Sequence, residues 1–256
     1  MGILNATPDS FFEGSRIQTQ KAVDVAGQML SEGADILDIG GQSSRPGAAL
    51  ISSAEEADRV LPVIENIINT FPKAVISIDT FYSHVARLAI YAGATMVNDI
   101  SAGEDDPGML AFIAESKLPY IAMHKQGTPQ NMQQNPVYDD VVSAILSYFQ
   151  QKEILYQSMG IHNWFIDPGF GFGKTLAHNF QLLRNLHRFS VFGKPVLVGI
   201  SRKSMIWKTL HTSAEQALNG TTALHMAALM NGADILRVHD VKEAKECAIL
   251  FEHYQG

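Results

Sequence analysis

Short apolar runs and amphipathic stretches alternate along the whole chain. The apolar runs lack polar alternation, as strands covered on both faces do. They predict strands at 1–5 (MGILN), 36–41 (ILDIGG), 74–79 (AVISID), 95–99 (TMVND), 119–124 (PYIAMH), 164–167 (WFID), 195–201 (PVLVGIS) and 234–240 (DILRVHD). Helical spacing fills the intervals, at about 19–33, 53–70, 82–92, 107–116, 139–159, 177–188, 214–231 and from there on to about 253. The first helix carries Ala22, Val23, Ala26, Met29 and Leu30 on one face, and Glu55 and Glu56 open the second, where the helix dipole favours acids. Each strand is followed by a helix, eight times over. In a chain of 256 residues this selects a single-domain α/β fold, the TIM (β/α)8 barrel spanning 1–256, over an open doubly wound sheet. A weak repeat agrees: EGADILDIGG, AGATMVNDIS and NGADILRVHD place Gly33, Gly93 and Gly232 as helix C-caps feeding the next strand.

Composition narrows the class. Hydrophobic residues make up 46% and charged residues 18%, enough for a large core. The net charge of −7 argues against a nucleic-acid partner. Cys247 is the only cysteine, which excludes a disulfide framework and a thiolate metal cage and suggests a cytoplasmic setting. No secretory leader is visible, and no apolar run approaches the roughly twenty residues that span a bilayer, so no membrane partner is expected.

Candidate chemistry gathers where strands end. After Trp164, Phe165 and Ile166, the chain places Asp167, stops the ladder with Pro168, and runs Gly169-Phe170-Gly171-Phe172-Gly173-Lys174. Glycines at this density permit positive φ and close approach of a ligand to the main chain, and two aromatics in such a loop are poorly explained by core packing. The rim as a whole reads Asn5, Asp38, Asp79, Asn98 with Asp99, His124, Asp167, Ser201 with Arg202 and Lys203, then Arg237 and His239. Any one of these serves equally well as a turn residue or helix cap. Eight polar strand ends on the catalytic rim of a barrel form a constellation.

The rim sorts by chemistry. Asp79, Asn98, Asp167 and Lys203 combine acceptors with a donor, which suits a flat heterocycle with an amino-imino edge, guanine-like or pterin. Three carboxylates counting Asp38 also raise a divalent metal cage, though Asn98, Lys203 and only two rim histidines (His124, His239) speak against zinc. Asn5, Arg45, Arg237 and His239 suit a phosphate or diphosphate with Mg²⁺. Ser201, Arg202, Lys203 and Ser204 suit a carboxylate, with helix capping by Ser204 as the plain alternative.

These residues stand in motifs that resemble dihydropteroate synthases over essentially the whole chain: GILNATPDSF (2–11), DIGGQSSRPG (38–47), SIDTF (77–81), NDIS (98–101), DPGFGFGK (167–174), GISRKS (199–204) and RVHD (237–240). The resemblance implies a TIM barrel, usually a homodimer and a sulfonamide target, that joins a dihydropterin diphosphate to p-aminobenzoate and releases pyrophosphate. It implies that Asp79, Asn98, Met123, Asp167, Gly199 and Lys203 hold the pterin. Asn5 would contact the Mg²⁺–pyrophosphate, and Arg45, Arg237 and His239 the diphosphate. Ser44, Arg45, Pro46, Phe172, Lys203 and Ser204 would bound the p-aminobenzoate site. Asp167, Lys203, Asn5, Arg237 and His239 would carry catalysis, and the loops of Asp9 with Phe11 and of Arg45 with Pro46 would close as lids. Glu13 stands where many members have Asp, and GGQSSRP stands for the frequent GGESTRP, so Gln42 is neutral and Ser44 lacks a methyl. The motifs begin at once, so the segment that often covers the barrel's bottom is expected to be missing or very short. Three rival readings are a pterin-binding module of the methyltetrahydrofolate–corrinoid methyltransferase kind, a non-catalytic paralogue and a phosphosugar aldolase or isomerase. The arginine-bearing second loop, the intact motifs and the acids around Lys203 argue against them in turn.

Overall fold

The structure is a computed structural model describing residues 1–6, 15–42, 49–127 and 136–256. Eight parallel strands follow one another in chain order: β1 (Gly2–Asn5), β2 (Leu37–Gly40), β3 (Ile76–Asp79), β4 (Met96–Asp99), β5 (Tyr120–Met123), β6 (Trp164–Asp167), β7 (Leu197–Val198) and β8 (Ile235–Leu236). Helices intervene: α1 (Ser15–Ser31), α2 (Ser53–Thr70), α3 (Ser83–Tyr91), α4 (Pro107–Ser116), α5 (Val141–Ser158), α6 (Leu176–Arg184), α7 (Ser204–Trp207), α8 (Leu218–Met230) and α9 (Val241–Gln255). The fold is the TIM barrel. Its ladder is not one continuous closure: β1–β6 form one sheet and β7–β8 another. Single bridges join the seams, Ile166 to Val196 and Gly2 to Val238. At the second seam Ile3 N–H donates to Val238 O and Val238 N–H to Met1 O, both at 2.9 Å.

Side-chain parity divides the interior. Leu37, Ile39, Ile76, Ile78, Val97, Tyr120, Ala122, Trp164, Ile166, Val198 and Leu236 face outward into the core beneath the helices. The opposite parity faces the barrel axis, where Met96, Ile121 and Leu197 pack with Met1, Ile36, Phe165 and Ile235 into an apolar plug. Two residues further along the same inward parity lie Asp38, Asn98, Met123, Asp167, Gly199 and Arg237. This alternation, fixed at two residues per repeat, carries polar groups above a dry floor.

The three predicted C-caps have the expected conformation: Gly33, Gly93 and Gly232 take φ of +97°, +116° and +94°. In each, the next N–H reaches back to the carbonyl five residues earlier, as from Ala34 to Met29 at 2.9 Å, a Schellman closure that only a positive φ permits. Several predicted bounds shift. The first helix begins at Ser15, and the stretch predicted at 177–188 is α6 followed by a 3₁₀ turn, Leu186–Phe192. The helix predicted at 214–231 is α8. The last two strands shrink to two residues each, though the Arg237 N–H still donates to Val198 O at 2.9 Å.

Candidate active site

The strand register aligns Asn5 with Gly40, Gly40 with Asp79 and Asp79 with Asn98 across neighbouring strands, and Met123 with Asp167. Four side chains from distant segments meet there through hydrogen bonds. Arg237 donates from Nε to Asp38 Oδ2 at 2.5 Å and from Nη2 to Asp79 Oδ2 at 2.6 Å. Asn98 donates from Nδ2 to the same Asp38 oxygen at 3.0 Å. Burial pushes Asp79 up to about 7 against the pull of Arg237, with Asp38, Glu56 and Asp99 adding to the rise. Buried Asp38 and half-buried Asp79 hold the Arg237 guanidinium in its charged form despite burial.

Across the mouth, Asp167 Oδ1 accepts the Gly169 N–H at 2.8 Å, the first tie of the glycine-rich loop. Burial raises the Asp167 carboxyl, and Lys203, the Gly169 N–H and Arg237 oppose the rise. Lys203 donates to Phe170 O at 2.5 Å and lies over the Phe172 ring at 4.9 Å; burial pushes it down to about 8. Met123 sits with Phe81 and Ile100 in a small apolar cluster against which Tyr82 and Phe172 pack.

Phe170 corrects the sequence expectation. It is fully buried in the main core, so one of the two loop aromatics is a packing anchor and only Phe172 belongs to the mouth. Lys174, which closed the motif without a role, is the loop's internal brace. Its three donors meet three acceptors: Gly169 O at 2.8 Å, Phe172 O at 3.0 Å and His124 Nδ1 at 3.0 Å. His124 thus faces inward to the loop. Burial and the Lys174 charge push it down to about 2, so the ring is neutral with its proton on Nε2. Gly169 takes φ of +72°, and a Cβ there would lie 1.8 Å from His124 O. The glycine is a steric requirement.

Other rim residues turn out to organise the backbone. Asp99 accepts from the Ser101 N–H and hydroxyl, the Gly103 N–H and the Tyr120 hydroxyl, all at 2.7–2.8 Å, which leaves no oxygen for a ligand. Arg202, at φ +52°, grips Asp240 through Nε and Nη2 at 2.8 Å each and caps the carbonyls of Ala214 and Glu215. Ser201 Oγ accepts the His239 N–H at 3.2 Å and lies 3.1 Å from His239 Nδ1. Since that oxygen already accepts, its hydroxyl proton suits Nδ1 and places the ring proton on Nε2. Burial and Arg237 push His239 down to about 4, so it offers a neutral donor and no charge. Ser204 is exposed at the start of α7, whose N-cap is Lys203 with no side-chain cap bond, so the capping alternative for Ser204 does not hold.

Beside the β3 end, Glu56 is fully buried, and one oxygen accepts the Thr80 hydroxyl at 2.7 Å. The sequence showed only a helix-dipole acid there. Gln42 donates to Ala49 O at 3.0 Å and accepts the Ile51 N–H at 2.9 Å, joining the two ends of the second loop. The neutral amide serves where a glutamate could not donate to Ala49 O. Asp9, Phe11, Glu13, Ser44, Arg45 and Pro46 lie outside the described residues.

Asn5 lies half-buried at the end of β1 and offers an amide oxygen there. Among the described residues no three His, Cys, Asp or Glu side chains approach closely enough for a metal cage. The acids of the mouth already face Arg237 and Lys203. This donor set fits an ion that keeps most of its ligands as water and phosphate, which is how Mg²⁺ binds. No helix among the described residues is long and apolar enough to cross a membrane.

Comparison with known proteins matches the arrangement. Residues 1–239 match the family described as pterin binding enzyme. The dihydropteroate synthase of Escherichia coli K12 is 45% identical over 255 residues, covering 98% of this chain and 90% of that protein. A crystal structure of the Yersinia pestis dihydropteroate synthase with a sulfonamide drug complex superposes with a TM-score of 0.92 at 44% identity, covering 100% of this chain and 93% of that one. The Xanthomonas albilineans dihydropteroate synthase with 4-aminobenzoic acid gives a TM-score of 0.93 at 40% identity over 100% and 92% of the two chains. An inward ring of acids, one amide and two bases above an apolar floor, and likeness at this level over the full length, have one common explanation: the chain belongs to the dihydropteroate synthase family of pterin binding enzymes.

Proposed function

We propose that this chain, as one domain over 1–256, condenses 6-hydroxymethyl-7,8-dihydropterin diphosphate with p-aminobenzoate to give 7,8-dihydropteroate and pyrophosphate. The observation that carries this reading is the joint contact of Arg237 with Asp38 and Asp79, which brings acids for a ring and a base for its leaving group within one guanidinium of each other. Asp79, Asn98, Met123, Asp167, Gly199 and Lys203 hold the ring. Asn5, Arg45, Arg237 and His239 face the diphosphate, and Ser44, Arg45, Pro46, Phe172, Lys203 and Ser204 bound the arylamine.

The C–O bond between the exocyclic methylene and the diphosphate breaks first, and its electron pair leaves with the diphosphate. Positive charge then develops on a carbon conjugated to the ring. Asp167, accepting ring N–H groups, stabilises that charge in a site sheltered from water. Two of the five Arg237 N–H groups are committed to Asp38 and Asp79, and its Nη1 edge serves the departing oxygens. Neutral His239 donates from Nε2. The arylamine nitrogen forms the new C–N bond and afterwards releases one proton to solvent. It is neutral and weakly basic, so its position against Phe172 and Lys203 matters more than its deprotonation. Asn5 would hold Mg²⁺ together with the diphosphate, and that ion supplies neutralising charge to the leaving group when bound.

The exposed apolar residues Met230 on α8 and Leu250 and Tyr254 on α9 suit burial against a second copy of the chain, and the protein works as a cytoplasmic homodimer. A sulfonamide competes with p-aminobenzoate at the Phe172 wall. The deciding experiment measures pyrophosphate release from the pterin diphosphate with and without p-aminobenzoate and Mg²⁺. Release that depends on the arylamine is expected. Release at the same rate without it would overturn the proposal.

A further inference from the structure

We propose that Asp38 sets the hydrogen-bond polarity of the mouth: by fixing Asn98 with its amide oxygen toward the ligand, it acts as a positioning residue that selects a ring edge bearing N–H donors. The inference deepens the function proposed above and rests on it for the identity of the ligand. Asp38 has no exposed surface, and its Oδ2 accepts both Asn98 Nδ2 at 3.0 Å and Arg237 Nε at 2.5 Å. An oxygen that already receives the Arg237 Nε–H and an amide N–H acts as an acceptor toward both. Turning the Asn98 amide over would set two oxygens against each other at hydrogen-bond distance in a site that is 3% exposed. One orientation survives, with Nδ2 buried on Asp38 and Oδ1 presented to the mouth.

The consequence is a mouth lined with fixed acceptors. Asn98 Oδ1 and Asp79 accept on the side where Arg237 is bound to Asp38 and Asp79, and Asp167 accepts across the mouth, where Lys203 lies over the Phe172 ring. A ring edge of N–H groups meets three acceptors, and an edge of carbonyls meets three repulsions. Asp38 touches no ligand in this scheme; it decides what Asn98 shows.

The test compares wild type with Asp38→Asn, Asn98→Asp and the swapped pair Asp38→Asn/Asn98→Asp. In Asp38→Asn the opposing amides turn Asn98 over, and KM for the pterin diphosphate should rise about tenfold or more while KM for p-aminobenzoate stays within about twofold. The swap restores one donor facing one acceptor and again presents an acceptor to the ring. It should recover to within about threefold of wild type. A swap no better than the worse single variant, or two KM values that rise together in Asp38→Asn, would overturn the assignment. Should Asp38→Asn fail to fold, side-chain amide exchange in wild type decides the matter. One Asn98 Nδ2 proton should exchange at least about a hundredfold more slowly than a free amide, and two fast protons would end the idea. Wild type that releases no pyrophosphate in answer to p-aminobenzoate would end the functional reading alone, since the exchange measurement needs no substrate.

Discussion

Lys174→Met isolates the brace of the glycine-rich loop. The lysine is 3% exposed, and its Nζ holds Gly169 O, Phe172 O and His124 Nδ1 at 2.8, 3.0 and 3.0 Å. Methionine fills a similar volume and donates nothing. Gly169 O keeps the Phe172 N–H at 3.1 Å, while Phe172 O and His124 Nδ1 lose their partner at about 1–3 kcal/mol each, roughly 4 kcal/mol in all. Against this, the variant no longer buries an ammonium. A fall from 10.5 to about 7 corresponds to about 5 kcal/mol at about 1.4 kcal/mol per pH unit. The two effects nearly cancel, so a net change within about 2 kcal/mol and a Tm shift of no more than about 8 °C are expected. Activity has no such compensation. The carbonyls of Gly169 and Phe172 are released, and with them the Phe172 wall and the Gly169 N–H that orders Asp167. A displacement of about 1 Å costs on the order of a hundredfold, so kcat/KM for p-aminobenzoate should fall by about that factor. Thermal unfolding followed by circular dichroism and steady-state pyrophosphate release measure the two quantities. A Tm drop above about 15 °C would show that the lysine's bonds dominate its burial cost. Unchanged kcat/KM would show that the brace does not position the loop.

Asp167→Asn keeps the side-chain shape but removes the charge, and turnover should fall about a hundredfold or more while Tm moves by only a few degrees; near-normal turnover would refute its role in stabilising the developing cation. Lys203 donates all its bonds as an ammonium, and burial pushes it down to about 8. The active form is therefore the protonated one: kcat/KM should fall as pH rises through about 8, and a flat profile through pH 9 would exclude the lysine as the titrating group. Gly169→Ala places a Cβ 1.8 Å from His124 O at φ +72°, so soluble yield and Tm should collapse together; a well-folded variant with normal activity would mean the loop can be rebuilt.

The element order was legible because each strand is an apolar run and the helices before β2, β4 and β8 end in Gly33, Gly93 and Gly232 at positive φ. Inward parity was legible once the strands were placed, which is why Asp79, Asn98, Asp167 and Arg237 meet. What stayed hidden were partners set by the third dimension. Parity turns Asp79 toward the axis and Asp99 away from it, but the Ser101, Gly103 and Tyr120 groups that take Asp99's oxygens are found only in the folded chain. Phe170 and Phe172 are two residues apart in one loop, yet the first is buried in the main core and the second backs Lys203. Glu56 reads as a helix-start acid beside Glu55, but Glu55 pairs with Arg59 in solvent while Glu56 is buried on Thr80. Only the order of packing tells these pairs apart.

The mouth leaves its charges paired within the protein, and this has a measurable consequence. Asp38, Asp79 and Asp167 stand against Arg237 and Lys203, with Arg237 on two of the acids, Lys203 on Phe170 O and Asp167 on the Gly169 N–H. A ligand therefore exchanges partners and does not meet bare charges. Ring N–H groups arriving at Asp79 take over an oxygen that Arg237 Nη2 holds, and the guanidinium N–H so released turns to the diphosphate. The two halves of the substrate then bind cooperatively although they touch different residues. A released charge-assisted bond is worth about 1–2 kcal/mol, or roughly a five- to thirtyfold gain in pyrophosphate affinity when a dihydropterin alcohol already fills the ring site. Calorimetric titration of pyrophosphate, with and without saturating dihydropterin alcohol and at fixed Mg²⁺, reads this factor directly, and reciprocity requires the same factor for the ring with pyrophosphate bound. Equal affinities in the two titrations would mean that Arg237 keeps both carboxylates throughout and meets the leaving group with its Nη1 edge alone.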